Sequence, residues 1–226
     1  MKTLKLINEG AYKLKQSDII SYQLDSEILL SKVLKKKRED LLVNLEQQID
    51  LKNIKKFEEL IRRRSLNEPI AYILKEKEFW SKTFEINNNT LIPRPETELM
   101  VEKLVKIYKH KKINILDIGT GSGCILISLL TELKQSTGVG IDISKKAIKI
   151  AIKNAKKNNL KNNIKFLNRS LSNFNQKKFD LIVSNPPYIR SVDIKNLDED
   201  IKKYEPKIAL DGGNDGLDLI KKVIYK

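Results

Sequence analysis

Ile113-Asn114-Ile115-Leu116-Asp117-Ile118-Gly119-Thr120-Gly121-Ser122-Gly123 decides the fold. Its first six residues read as a short apolar strand, the alternating glycines end that strand, and Cys124 to Leu133 reads as a helix. Glycine has no Cβ, so such a turn folds tightly and lets a ligand approach the backbone. The spacing is G-x-G-x-G; the dinucleotide fingerprint G-x-G-x-x-G is not met, and no P-loop lysine follows.

Working toward the C-terminus, Thr137 to Ile141 is a second strand ending at Asp142, and a helix starts at Ser144. Ile148, Ala151, Ile152 and Ala155 make one face of it, while Lys145, Lys146, Lys149, Lys153, Lys156 and Lys157 make another. Ile164 to Leu167 and Phe179 to Ser184 are strands three and four. This alternation predicts an α/β fold: a parallel Rossmann-like sheet with right-handed crossovers and ligands at the carboxyl ends of its strands.

Working toward the N-terminus, residues 79–112 read as a hairpin and a linker helix. Phe79 to Ile86 forms a strand, Asn87-Asn88-Asn89 a turn and Thr90 to Ile92 a return strand. Pro93 to Glu98 then opens a helix carrying Leu99, Val101, Leu104 and Val105, with Pro95 in its first turn and two carboxylates at its positive end. Residues 1–78 read as a helical-bundle domain. Leu4, Ile7, Ala11 and Leu14 repeat at helical spacing, Ser26 opens a second apolar run, and further helices fit 38–46 and 50–64, the last ending in Arg62-Arg63-Arg64.

Of the 226 residues, 40% are hydrophobic, enough for an ordinary core. One cysteine and one histidine exclude an internal disulfide, a thiolate cluster and histidine-rich metal ligation, so no metal site is expected. The N-terminus has no apolar signal region and no apolar stretch is long enough to span a bilayer, which reads as a soluble, cytoplasmic protein. The net charge of +15 is uneven: residues 1–80 carry +4 and residues 81–226 carry +11, with eleven basic and no acidic residues between 143 and 179. Such a balance suits RNA or ribosome contact, although a lysine-rich solvated face is the plainer reading.

Two sites carry chemistry. Asp142, at the end of the strand after the glycine turn, can accept hydrogen bonds from both hydroxyls of a ribose, which implies a nucleoside-containing cofactor; its structural alternative is a helix N-cap ahead of Ser144. Asn185-Pro186-Pro187-Tyr188 ends strand four. Consecutive prolines remove backbone donors, so the Asn185 side-chain oxygen and the Pro186 carbonyl form a pair of acceptors for a planar NH₂ group, and Tyr188 offers a flat face. Such a corner holds an amide or exocyclic amine in line with an electrophile.

With these motifs the chain resembles class I S-adenosylmethionine-dependent methyltransferases acting on planar nitrogen. Adding Ile92-Pro93-Arg94-Pro95-Glu96-Thr97-Glu98, the helical N-terminal domain, Tyr204-Glu205-Pro206, Ala209-Leu210 and Gly212-Gly213, it resembles the HemK-type release factor glutamine methyltransferases over nearly its whole length. The resemblance makes 113–226 the methyltransferase domain. It implies methylation of the side-chain amide of the GGQ glutamine in peptide chain release factors, with S-adenosyl-L-methionine as cofactor. Asn185, Pro186 and Tyr188 are then the catalytic corner, and Pro187, Arg94 and Glu96 join them in substrate binding. Gly119, Thr120, Gly121, Ser122, Gly123, Asp142, Ser170 and Asn185 are the cofactor residues.

Where the family tends to an acidic residue and an aromatic, this chain has Asn168-Arg169-Ser170-Leu171. The family also continues beyond the helix expected at Leu217 to Tyr225 with a fifth strand and an antiparallel pair, so the sheet is expected to be incomplete with strand four at its edge. A nucleic-acid amino-methyltransferase, an inactive remnant and a non-catalytic cofactor-binding module stand as alternatives.

Overall fold

The computed structural model describes residues 1–175 and 178–225. It divides into two compact units, Met1–Leu74 and the chain from Lys75 onward. The first unit carries α1 (Thr3–Lys15), α2 (Tyr22–Leu34), α3 (Arg38–Val43), α4 (Leu51–Ser65) and α5 (Ile70–Leu74). Leu6, Ile7 and Leu14 of α1 pack with Leu29 and Leu30 of α2 and with Phe57 and Ile61 of α4. Leu4, expected on that face, is 42% exposed, and Leu6 takes its place.

α2 starts at Tyr22, four residues ahead of the apolar run that Ser26 opens. The buried Ser26 hydroxyl donates to the Ile7 carbonyl at 2.7 Å, joining α2 to α1. Of the three arginines expected merely to suit the end of α4, Arg64 turns inward and pairs with Asp25 at 2.7 Å, both side chains almost wholly buried. Asp25→Ala is expected to leave that guanidinium without its partner at a cost of about 3–5 kcal/mol, read as a matching loss of amide-exchange protection across α1, α2 and α4.

The second unit opens with a hairpin of β1 (Glu76–Phe79) and β2 (Lys82–Glu85), so the helical reading of 1–78 overran by a few residues. The hairpin also turns earlier than expected, at Trp80-Ser81, where both residues are left-handed with φ of 53° and 51°. Residues 90–92 form no strand. The governing constraint is burial: Phe79 and Phe84 meet edge-on at 6.1 Å in one core, and pairing Phe79 with Lys82 puts both rings on the same face. A turn without glycine or asparagine gave no local signal.

There follow α6 (Glu96–Tyr108), β3 (Asn114–Ile118), α7 (Cys124–Glu132), β4 (Thr137–Asp142), α8 (Lys145–Lys157), β5 (Ile164–Asn168), β6 (Leu181–Ser184), α9 (Glu199–Tyr204) and α10 (Asp218–Tyr225). The four later strands form one parallel sheet, as the alternation predicts, in the order β5-β4-β3-β6, with β6 at an edge, as expected from the resemblance. Side chains alternate across β3: Ile115 joins Phe79, Phe84, Val101 and Leu126 on one side, while Leu116 and Ile118 meet Ile141 and Phe174 on the other. Leu99 of α6 and Ile152 of α8, expected inside, face outward. Among the described residues, no helix is long and apolar enough to cross a membrane and no cluster of potential metal ligands occurs.

Candidate active site

The end of β3 and the end of β4 are tied together by backbone. Gly119 and Thr120 N–H groups both donate to the Ile141 carbonyl, at 2.9 and 3.0 Å. Gly121 N–H donates to Asp142 Oδ2 at 2.9 Å, and Ser144 N–H donates to Asp142 Oδ1 at 2.8 Å. Gly119 and Gly121 are left-handed, with φ of 72° and 55°, and a Cβ on Gly119 would meet nothing within 4 Å. What it would enter is a cavity of about 360 Å³ lined by Gly119 to Ser122, Asp142, Ser170 and Asn185, within the roughly 300–1,000 Å³ typical of small-molecule sites. Asp142 lines it, and Ser144, not Asp142, caps α8 by accepting the Ala147 N–H at 3.2 Å.

Beneath the loop lie two polar side chains that the sequence reading did not single out for the site. Asn154 of α8, fully buried, donates to the carbonyls of Ser122 and Glu85 and accepts the Glu85 N–H at 2.7 Å, joining the loop to the hairpin. Asp117 is also fully buried. The Thr120 hydroxyl donates to its Oδ2 at 2.6 Å, whereas Oδ1 has no hydrogen-bond partner among the described residues. Burial, reinforced by the nearby Asp142 charge, raises the Asp117 carboxyl to about 7. Burial also raises Asp142, against the pull of its two backbone donors. The Cys124 thiol is pushed up to about 12 by its enclosure and stays neutral.

Asn185 and Pro187 line the cavity at the end of β6; Pro186 does not, and Tyr188 is 63% exposed. Behind the corner, Ile189 N–H donates to Leu210 O and Gly212 N–H returns to Ile189 O, at 3.1 and 2.8 Å. Here the glycines serve close approach, since a Cβ on Gly212 would stand 2.8 Å from the Pro187 carbonyl oxygen and one on Gly216 2.5 Å from that of Tyr188. Arg94 and Thr97 reach the same cavity from the start of α6, whereas Glu96 is exposed at its N-terminus and outside the lining. Asn185 Nδ2 points to Thr97 Oγ1 at 3.5 Å, so the Oδ1 end of the amide is left for a ligand.

Arg169, Ser170 and Leu171 also line the cavity. Ser170 accepts the Asn173 N–H at 3.3 Å, and Asn168 donates to the carbonyls of both Asp142 and Ile143 at 2.9 Å. A carboxylate at 168 has no donor for that purpose, so the amide is suited to holding the loop after β4.

Residues 5–74 match the PrmC N-terminal domain and residues 109–209 a methyltransferase domain. The release factor glutamine methyltransferase of Buchnera aphidicola subsp. Acyrthosiphon pisum is 42% identical over 99% of this chain and 79% of its own length. The chain belongs to the release factor glutamine methyltransferase family. The bifunctional methyltransferase of Rickettsia bellii is 38% identical over 94% of the chain, which spans only 43% of that longer protein. Among solved structures, the hMettl16 catalytic domain in complex with the MAT2A 3'UTR hairpin 6 superposes with a TM-score of 0.53 over 74% of this chain and 62% of that one; at 20% identity it shows the shared fold.

The family's cofactor is S-adenosylmethionine, and the residues present fit it. The open space at Gly119 admits a ligand against the backbone, and Asp142 offers acceptors at the cavity wall.

The raised Asp117 value has a sign. A carboxyl whose folded value lies above its unfolded one binds the extra proton in the folded state, so its contribution is full below pH 4 and is lost as pH rises through about 7. In the ligand-free protein, Asp117→Asn is expected to flatten the fall in melting temperature between pH 5 and pH 8 relative to wild type. Parallel curves would contradict the assignment.

Proposed function

We propose that the protein methylates the side-chain amide nitrogen of the glutamine in the GGQ motif of peptide chain release factors. One observation carries this reading: Asn185, with its Oδ1 end unbonded, lines the same cavity as Gly119, Gly121 and Asp142. Bound against the glycine loop, S-adenosylmethionine supplies an electrophilic methyl group on a sulfonium.

An amide nitrogen is a poor nucleophile because its lone pair is delocalised into the carbonyl. Asn185 Oδ1 accepts one of its N–H bonds, which aims the nitrogen and favours the pyramidal geometry of the transition state, and the Pro186 carbonyl, one residue outside the cavity lining, is the acceptor the corner offers for the second. Thr97 keeps the Asn185 amide in the orientation that makes this possible. Asp142 would accept from the ribose hydroxyls of the bound cofactor, and Arg169, Ser170 and Leu171 line the same cavity. Tyr188, exposed beside the corner, presents its ring to the substrate peptide. The sulfonium would supply the methyl group and leave as the neutral thioether, and the surplus amide proton would pass to solvent. No histidine or thiol base is required.

Removing one preorganised contact of this type costs about 10²–10³ in turnover. Asn185→Ala is therefore expected to lower methyl transfer to a release factor by at least about 100-fold while S-adenosylhomocysteine binding stays measurable by calorimetry. Equal transfer by variant and wild type would remove the corner from the mechanism.

A second reading is a nucleic-acid amine as acceptor, favoured by the lysines of α8. Of these, Lys153 pairs with Glu85 at 2.9 Å, and the other five make no ion pair among the described residues. Methyl transfer measured side by side on a release factor, tRNA, rRNA and DNA separates the two readings: the first expects label on the release factor, and label confined to nucleic acid would reverse the order.

A further inference from the structure

Glu205 follows α9 and carries a side chain only 1% exposed. Its two carboxylate oxygens reach a segment more than a hundred residues earlier: Oε2 accepts the Ile92 N–H at 3.2 Å and Oε1 accepts from Arg94 Nη2 at 2.6 Å. Pro93 and Arg94 on one side of this bond, and Pro206 and Ala209 on the other, all line the cavity. A single buried carboxylate thus closes two stretches of wall.

That wall stands at the Asn185 end. Thr97 N–H donates to the Arg94 carbonyl at 3.1 Å, and Thr97 Oγ1 is the group facing Asn185. Arg94 has five N–H donors in a rigid fork, and Glu205 Oε1 holds it by one of those on Nη2. Lysine could supply the charge but not the fork.

We propose that Glu205 is a positioning residue for substrate. It holds Ile92 to Arg94 as the wall beside Asn185, and the remaining guanidinium N–H groups of Arg94 take backbone carbonyls of the peptide flanking the acceptor nitrogen. The inference rests on the methyl-transfer reading and deepens it: the substrate end is set from α9, away from the glycine loop that serves the cofactor.

The test compares wild type, Glu205→Gln, Arg94→Ala and the double variant by three measurements. These are amide hydrogen exchange at Ile92, KM and kcat with a full-length release factor, and S-adenosylhomocysteine affinity by calorimetry. Glutamine keeps the shape of the side chain and one acceptor, so the variant is the one expected to fold.

In Glu205→Gln, Ile92 exchange is expected to quicken at least about tenfold and KM to rise at least about tenfold, with kcat and S-adenosylhomocysteine affinity within about threefold. The double variant is expected to have a KM no higher than Arg94→Ala alone, because the two residues act as one unit. Unchanged exchange at Ile92 overturns the clamp. Faster exchange with an unchanged KM, or cofactor affinity lost in step with KM, overturns the substrate role. If wild type binds S-adenosylhomocysteine but methylates no release factor, the glutamine reading falls by itself. Ile92 exchange, together with KM on whichever acceptor the wild type does methylate, then decides on Glu205.

Discussion

The site depends on a knot of four backbone N–H groups where β3 leaves the sheet. Two of them, from Gly119 and Thr120, share the Ile141 carbonyl, and two more, from Gly121 and Ser144, occupy the Asp142 carboxylate. The chain can turn this sharply only because Gly119, Gly121 and Gly123 all take left-handed φ. Everything else at the cavity is arranged around that turn. Asn154 supports it from below, Asn168 fixes the carbonyls just beyond it, and β6 delivers Asn185 from the adjoining register position beside β3.

The electrostatics of the cavity are mixed. Its wall carries Asp142, Asp211 and Asp218 but also Arg94, Arg169 and Lys222, while Asp117 lies buried beneath the glycine loop, outside the lining. Burial makes the carboxyls of both Asp117 and Asp142 reluctant to ionise.

The parts of this structure legible in the sequence are those written in local chemistry. The glycine turn, the strands β3 and β4, the helix start at Ser144 and the helix beginning after Pro95 all announce themselves by residue type and period. What stays hidden is set by partners distant in the chain. Ser26 reads only as the edge of an apolar run, because its bond to Ile7 joins residues nineteen apart. The hairpin was misplaced because the pairing of Phe79 with Phe84, not the run of asparagines after it, chose the turn. Glu205 stood in a quoted motif without a task, since its partners Ile92 and Arg94 become neighbours only on folding. Asn154 counted as one more polar residue on a lysine-rich helix, although it is the buried one.

Trp80 and Ser81 hold a conformation that a glycine would adopt without strain, yet the tryptophan is anchored twice: its N–H by Glu98 of α6 at 2.8 Å and its indole by Glu132 of α7 at 3.0 Å. Replacing the dipeptide with a relaxed turn would ease the backbone and keep the first anchor while cutting the second. Engineering for heat resistance could thus ease the backbone at this corner at the cost of one exposed hydrogen bond to the last residue of α7, a helix that its buried apolar face keeps in place.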